Sequence, residues 1–358
     1  MFRILLWSAV LFAGNALHAA PRAAKWTPEQ AIAWQAKQPW FVGCNFIPSN
    51  AINQLEMWQA DTFDPAAIDR ELGWAKGIGM NSARVYLHDL AYQQDPEGFL
   101  KRVDAFLEIA DKHGIRILLV FFDDCWLLEP KIGRQPAPVP GVHNSGWLKS
   151  PGLNALKEVA AEANGTRKRL ETYVKAVLTR FADDGRVMAW DLYNEPANKV
   201  PVEPSHELLK LVFAWSWEIN PDQPLTSGVW SDARPVRATQ LANSDIITFH
   251  TYSPAKRTAA FMDELAGESD RPLFLCTEFM ARPSGSTFQS CLPVFKQRNV
   301  GAICWGLVRG KTNTIWSWKS KEGAPEPEVW FHDVLHPDGT PYMPVEIETI
   351  RQIQNSQK

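Results

Sequence analysis

A chain of 358 residues, 45% hydrophobic and 22% charged, has ordinary globular composition and enough apolar side chains for one large domain or two small ones. A formal charge of −3 removes any electrostatic case for nucleic acid or an anionic membrane as partner. The 16 tryptophans exceed what a core of this size needs, and an indole, flat and apolar with one polar edge, suits a binding surface.

Met1 to Ala20 carries Arg3, an apolar stretch from Ile4 to Ala13, and small residues around Leu17-His-Ala-Ala20. That is the layout of a secretory signal peptide, its apolar part too short to span a membrane comfortably. The mature chain is expected to begin near Pro21, secreted or periplasmic, with no membrane attachment after signal removal. The five cysteines at 44, 125, 276, 291 and 304 lack metal-type CxxC spacing. Cys44, Cys276 and Cys304 stand in apolar runs, where cysteine acts as a small hydrophobe. Export permits disulfides without specifying pairs.

In chain order, residues 21–38 read as a surface leader in which Thr27-Pro-Glu-Gln opens a short helix. Trp40–Asn45 is the first strand, followed by a polar loop, 47–63. Asp64-Pro65 starts a helix that runs to Gly77, with proline in its first turn. Ser82–Leu87 is the second strand and ends in His88-Asp89. Asp95-Pro96 opens a helix that stops at His113-Gly114. The apolar run Ile115–Phe122 is the third strand and gives way to Asp123-Asp124-Cys-Trp126. The Pro/Gly-rich segment 127–152 has no periodicity, and connections of such length inside compact domains usually serve function. A helix over 166–182 leads to the fourth strand, in Arg186–Pro196. Pro196 cannot donate to a ladder and biases its predecessor away from helix, so the strand stops with Glu195 at its mouth. There follow a helix over 205–218, strands Leu225–Val229 and Ile246–His250, and a helix over 257–266. Strand Leu273–Glu278, a helix over 287–297 and strand Gly301–Gly306 come next. The stretch 307–341 is irregular and Trp-rich, and a helix over 344–355 closes the chain.

Eight strands alternating with helices define an α/β chain. The count of eight favours a (β/α)8 TIM barrel over a doubly wound sheet, as a single domain over 21–358. No GxGxxG follows a strand, and Gly310-Lys311-Thr312 has Trp305 where a phosphate loop needs glycine. In such a barrel the chemistry collects at the C-terminal strand ends. Those ends carry Arg84, Tyr86 and His88; Asp123 and Asp124; Asn194 and Glu195; His250 and Tyr252; Glu278; and Trp305. Glu195 and Glu278 lie on strands four and seven, opposite each other across the mouth. Two facing carboxyls are what glycosidic cleavage requires, one protonated and one ionised. Arg84 near Glu278 would hold it ionised, and a drier setting would keep Glu195 protonated.

Gly43-Cys44-Asn45, Arg84, Asn194-Glu195-Pro196, His250-x-Tyr252, Thr277-Glu278-Phe279 and Trp305, in this order at these strand ends, resemble glycoside hydrolase clan A, and most of all family 5 (cellulase-like) enzymes. The resemblance covers almost the whole mature chain. It implies a retaining β-glycosidase acting on a β-linked poly- or oligosaccharide of mannan, glucan or xylan type. Glu195 would be the acid/base and Glu278 the nucleophile. Asn194 would bind the 2-hydroxyl, Arg84 and Tyr252 would support the nucleophile, His250 would contact the acid/base, and Trp305 would stack beneath the sugar. Family members commonly carry His after strand three where this chain has Asp123-Asp124, so Asp124 is expected to make a different sugar contact there. The stretch Trp305–Thr314 is also unlike a typical cellulase.

No cofactor and no metal are expected, and the partner is carbohydrate, met by a monomer. Two other readings stay open. A metal-dependent barrel hydrolase or isomerase would use His88, Asp123, Asp124, His250 and Glu278, although no HxH or HExxH occurs. A non-catalytic carbohydrate-binding protein would have no need of matched carboxylates. Trp126, Trp147, Trp230 and Trp316 are platform candidates by loop position. The segment after strand three, with Trp126, His143 and Trp147, is expected to form one cleft wall, and the Trp-rich stretch after strand eight the other, facing it across an open groove.

Overall fold

All eight expected strands have nearly every residue buried, as a parallel sheet walled by helices outside and filled with side chains inside demands. The computed structural model describes residues 25–127 and 129–356; the signal-peptide reading of residues 1–20 lies outside them. The strands are β1 Val42–Asn45, β2 Ser82–Tyr86, β3 Arg116–Asp123 and β4 Val187–Asn194. They continue as β5 Leu225–Thr226, β6 Ile247–His250, β7 Leu273–Phe279 and β8 Gly301–Trp305. Their order is β5-β4-β3-β2-β1-β8-β7-β6, all parallel. β5 is shorter than its apolar run because the chain leaves the ladder at Ser227. Val229 then bridges Phe249 in parallel, its N–H 2.9 Å from the Thr248 carbonyl, and draws β5 and β6 together. The result is a (β/α)8 barrel. Gly43 allows β1 and β2 to meet, since a Cβ there would lie 1.9 Å from the Ser82 carbonyl oxygen.

The helices Pro65–Gly77 and Pro344–Asn355 have the expected bounds, and Pro96–Lys112 begins where Asp95 caps it. Three differences matter. Pro28–Gln35, capped by Thr27, is no surface leader: Trp26, Trp34 and buried Ala31 join Phe41, Leu118, Phe274 and Ile303 to plug the N-terminal end of the barrel. Helix Arg234–Asn243, between β5 and β6, has no counterpart among the expected elements. Its inner face is Val236, Arg237 and Gln240, too polar to read as an apolar stripe, and Gln240 donates to the Gly228 carbonyl at 2.7 Å. Helix Leu153–Ala161 follows the long segment after β3 without having been expected. All five cysteines are free and buried. Among the described residues no helix is long and apolar enough to cross a membrane.

The segments after β3 and after β8 both rise at the C-terminal end of the barrel, and they are joined. Asn144 N–H donates to the Thr312 carbonyl at 2.8 Å, Gly323 N–H to that of Pro140 at 2.9 Å, and Asn313 Nδ2 to that of Val139 at 2.8 Å. They form one continuous rim on that side rather than two walls of an open groove. Beneath the second segment, buried Arg282 donates to the carbonyls of Trp330, His332 and Asp333 and forks onto Glu346 at 2.7 Å.

Candidate active site

The turn after β4 is sharp. Glu195, Ala197 and Lys199 all have positive φ, at 44°, 70° and 57°, a conformation that non-glycine residues hold only when the surroundings enforce it. Asp124 supplies the enforcement. Its Oδ2 accepts from the Ala197 amide at 2.7 Å and from Ser205 Oγ at 2.6 Å, and its Oδ1 accepts from the Tyr193 hydroxyl at 2.8 Å. Asp124 is therefore fully buried beneath the turn that carries Glu195 and lines neither of the two cavities that Glu195 borders. Its oxygens serve the protein, where a sugar contact was expected. Burial pushes its carboxyl up to about 6.

Glu278, at the end of β7, accepts from Arg84 Nη1 at 2.9 Å, the Tyr86 hydroxyl at 3.0 Å and the Tyr252 hydroxyl at 2.8 Å. Glu195 has His250 Nδ1 at 2.9 Å, Cys125 Sγ at 3.2 Å, and Asn198 Nδ2 on the same oxygen as Cys125. Arg84 sits at the centre with no exposed surface. Its Nε and Nη2 reach Asp191 Oδ2 at 3.0 and 2.8 Å, Nη2 also reaches Asn194 Oδ1 at 2.6 Å, and Nη1 reaches Asn45 Oδ1 at 2.9 Å. Asn194 Nδ2 in turn donates to Asp123 Oδ1 at 2.9 Å, and Trp147 Nε1 donates to Asp123 Oδ2 at 2.7 Å. Trp305 packs edge-on against Tyr86 and Trp147 and exposes its remaining surface to the cavity.

Arg84, Asn194, Glu195, His250, Tyr252, Glu278 and Trp305 are thus brought together, and Asp124 is not. His88 is fully buried at the start of helix Asp89–Gln94, where it accepts from the Leu90 amide. Asp191, Asn198 and Cys125 were missed from sequence: a strand-interior Asp, a loop Asn and a lone Cys carry no local signal. Exposed Trp318, edge-on to Tyr252 at 4.9 Å, was missed as well, while Trp316 turns its Nε1 to the Pro325 carbonyl.

The charge balance differs from expectation. Burial raises both carboxyls. At Glu195, His250, Cys125 and Asn198 outweigh it and hold the group below the ordinary carboxylate range. At Glu278, burial and the repulsion of Glu195 prevail over His250 and Arg84 and push it up. Asp191, buried and itself pushed up by burial, shares the Arg84 guanidinium with Glu278.

A cavity of about 230 Å³ opens over this set, lined by both glutamates, Trp126, Asn144, Trp305 and Trp318 among others. A second of about 520 Å³ shares Glu195, Trp230 and Tyr252 with it and extends past Arg257 and Glu264. One ligating atom each from Glu195, His250 and Glu278 lie within 4.8 Å of one another, close enough for a metal ion. Arg84 on Glu278 would oppose a dication there, since a fixed cation and an added one repel. The metal set read from sequence, with His88 and Asp124, is not assembled.

The likeness of this barrel to solved structures is one of fold. It superposes on the GH5_18 protein of Streptomyces cattleya in complex with GlcNAc with a TM-score of 0.60 and 14% identity, over 90% of this chain and 82% of that one. The exo-beta-1,4-mannosidase Op5Man5 of an Opitutaceae bacterium gives 0.61 and 16%, over 88% of this chain and 60% of that one. The hyperthermostable endo-1,4-beta-D-mannanase of Thermotoga petrophila gives 0.55 and 15%, over 88% and 99%. In sequence, the chain is 29% identical over 97 residues to the probable mannan endo-1,4-beta-mannosidase F of Emericella nidulans, a match to 27% of this chain and only 19% of that protein. No family model matches the chain.

Proposed function

We propose that this chain is a retaining β-glycoside hydrolase of the family 5 type, acting on a β-linked mannan-type poly- or oligosaccharide, with Glu195 as acid/base and Glu278 as nucleophile. The observation that carries the reading is the approach of a Glu195 oxygen to within 4.8 Å of a Glu278 oxygen at the edge of one cavity. Retaining enzymes separate their carboxyls by about 5–5.5 Å and inverting ones by about 6.5–9.5 Å. The mannosidase and mannanase among the similar folds support the sugar class.

A Glu278 oxygen attacks the anomeric carbon. The bond to the leaving oxygen breaks with its electron pair on that oxygen, which takes a proton from Glu195. Water, giving a proton back to Glu195, then displaces Glu278 and frees the sugar. For the first step the proton of the pair has to be on Glu195, whereas the ligand-free balance favours Glu278. Glu195 is the more exposed carboxyl, 13% against 6%. A sugar entering the cavity therefore strips more water from it and raises it more. His250 Nδ1, 2.9 Å from Glu195 and 3.6 Å from Glu278, lies between the two. With the signal peptide read in residues 1–20, the enzyme acts in the periplasm or outside the cell.

The test is the anomeric form of the first product, followed by proton NMR during hydrolysis of an aryl β-mannoside or a β-1,4-manno-oligosaccharide. The β-anomer is expected first. An initial α-anomer would overturn the retaining assignment, and binding without any turnover would favour a carbohydrate-binding protein.

A further inference from the structure

The joined rim closes one side of the smaller cavity, and the residues at the closure are His143 and Asn144. Each is 2% exposed. Both are held from the other segment, Asn144 through its backbone N–H to the Thr312 carbonyl and His143 through its ring Nδ1 to the Trp316 carbonyl at 2.7 Å. A nitrogen facing a carbonyl must carry its hydrogen, so Nδ1 is the protonated atom and Nε2 presents a lone pair. Burial lowers this imidazole to about 4, which keeps it neutral near pH 7. Asn144 has a φ of 47° and is locked in the left-handed region.

Neither Oδ1 nor Nδ2 of Asn144, nor Nε2 of His143, has a hydrogen-bond partner among the described residues. A buried polar atom left so carries the cost of its lost hydration with nothing to offset it. An apolar pair would plug the same place without that penalty. One donor and two acceptors on two neighbouring residues that line the cavity match adjacent sugar hydroxyls, each of which both gives and takes a hydrogen bond.

We propose that His143 and Asn144 form a recognition site for the free hydroxyls of a chain-terminal sugar, so that the enzyme releases single sugars from the non-reducing ends of β-linked oligosaccharides. This rests on the hydrolase reading above and deepens it. With the anomeric carbon between Glu278 and Glu195, the far side of the ring meets the closed rim, and a chain continuing in that direction would run into it. The cavity, at about 230 Å³, falls below the roughly 300–1,000 Å³ of pockets that take drug-sized ligands, a size for one ring rather than several. The departing chain leaves through the wider cavity that shares Glu195, Trp230 and Tyr252.

The experiment follows products from β-1,4-mannohexaose and from linear mannan over time, for the wild type and for Asn144→Gly. Glycine keeps the left-handed backbone at no strain and removes only the amide. Mannose is expected alone from the first time point. Asn144→Gly is expected to lose about ten- to a hundred-fold in kcat/KM on the hexaose and to weaken inhibition by free mannose, with its Tm near the wild-type value. Intermediate-length oligosaccharides at early times would overturn the proposal while leaving the hydrolase reading intact. So would an Asn144→Gly enzyme with wild-type kinetics and inhibition. If neither substrate nor an aryl β-mannoside is cleaved, the hydrolase reading falls, and this proposal with it.

Discussion

Arg84 is shared by two acids, Asp191 and Glu278, and is one of several groups that act on the charge of the carboxyl pair facing the cavity. A carboxylate with three donors, one of them a guanidinium, would ordinarily be ionised. Here burial and the repulsion of Glu195 outweigh those donors, and Glu278 rises. The roles of the two glutamates remain separable by substitution. Glu278→Gln is expected to lower kcat by roughly 10⁴-fold or more on every substrate, the fold being checked by circular dichroism. Glu195→Ala should lose roughly 10²–10⁴-fold where the leaving group needs protonation and far less on an activated aryl glycoside. Equal losses on both substrates would argue against Glu195 as the acid. Asp124 gives a pH prediction. Its folded pKa is raised from 3.8 to about 6, so its contribution is fully present below about pH 4 and is lost as pH rises through about 6. The amount at stake is roughly 3 kcal/mol. Asp124→Asn should therefore flatten the fall of Tm between about pH 4 and 7 relative to wild type, and parallel Tm curves would contradict this.

At the scale of elements, the cavity depends on two irregular segments that have few backbone ladders of their own. Tertiary clamps hold them. Arg282 satisfies three carbonyls of the segment after β8 and forms a buried fork with Glu346 of the last helix. Removing one partner of a buried ion pair costs roughly 3–5 kcal/mol, because the other charge is left buried and uncompensated. Arg282→Ala is expected to destabilise the protein by that amount in urea titration. A change under about 1 kcal/mol would show that the segment carries its own order. The turn after β4 follows the same logic: Ala197, the middle of its three positive-φ residues, gives its amide to a buried carboxylate that Tyr193 and Ser205 also hold.

For the whole molecule, the barrel fixes which strand ends can face each other, and the rim decides what reaches them. β4 and β7 bring Glu195 and Glu278 together with His250 between, a trio whose spacing would also suit a metal ion. Chelation distinguishes the two uses. Exhaustive dialysis against EDTA is expected to leave the hydrolysis rate unchanged, and a loss restored by a divalent cation would favour the metal-dependent reading.

The strands, their order and most site residues were legible along the chain because each signal is local. An apolar run of strand length, a proline that ends it and a polar residue at its exit are all set by neighbours in sequence. Arg84, Asn194, Glu195, His250, Tyr252, Glu278 and Trp305 were placed at strand ends in this way, and the barrel brings them together. Contacts between residues far apart in sequence decided the rest. Asp124 and Asp123 are adjacent and chemically alike, yet one braces the turn of Glu195 and the other holds Asn194 and Trp147. Asp191 reads as one polar residue within a strand, and only the closed barrel sets it against Arg84. The helix Arg234–Asn243 buries an Arg and a Gln against partners that no periodicity reveals. The two Trp-bearing segments suggested facing walls, but whether walls meet depends on backbone hydrogen bonds such as Asn144 to Thr312. Backbone groups are the same in every residue, so their pairing across 168 positions leaves no mark in the side-chain pattern and is settled only when the barrel brings β3 and β8 to the same rim.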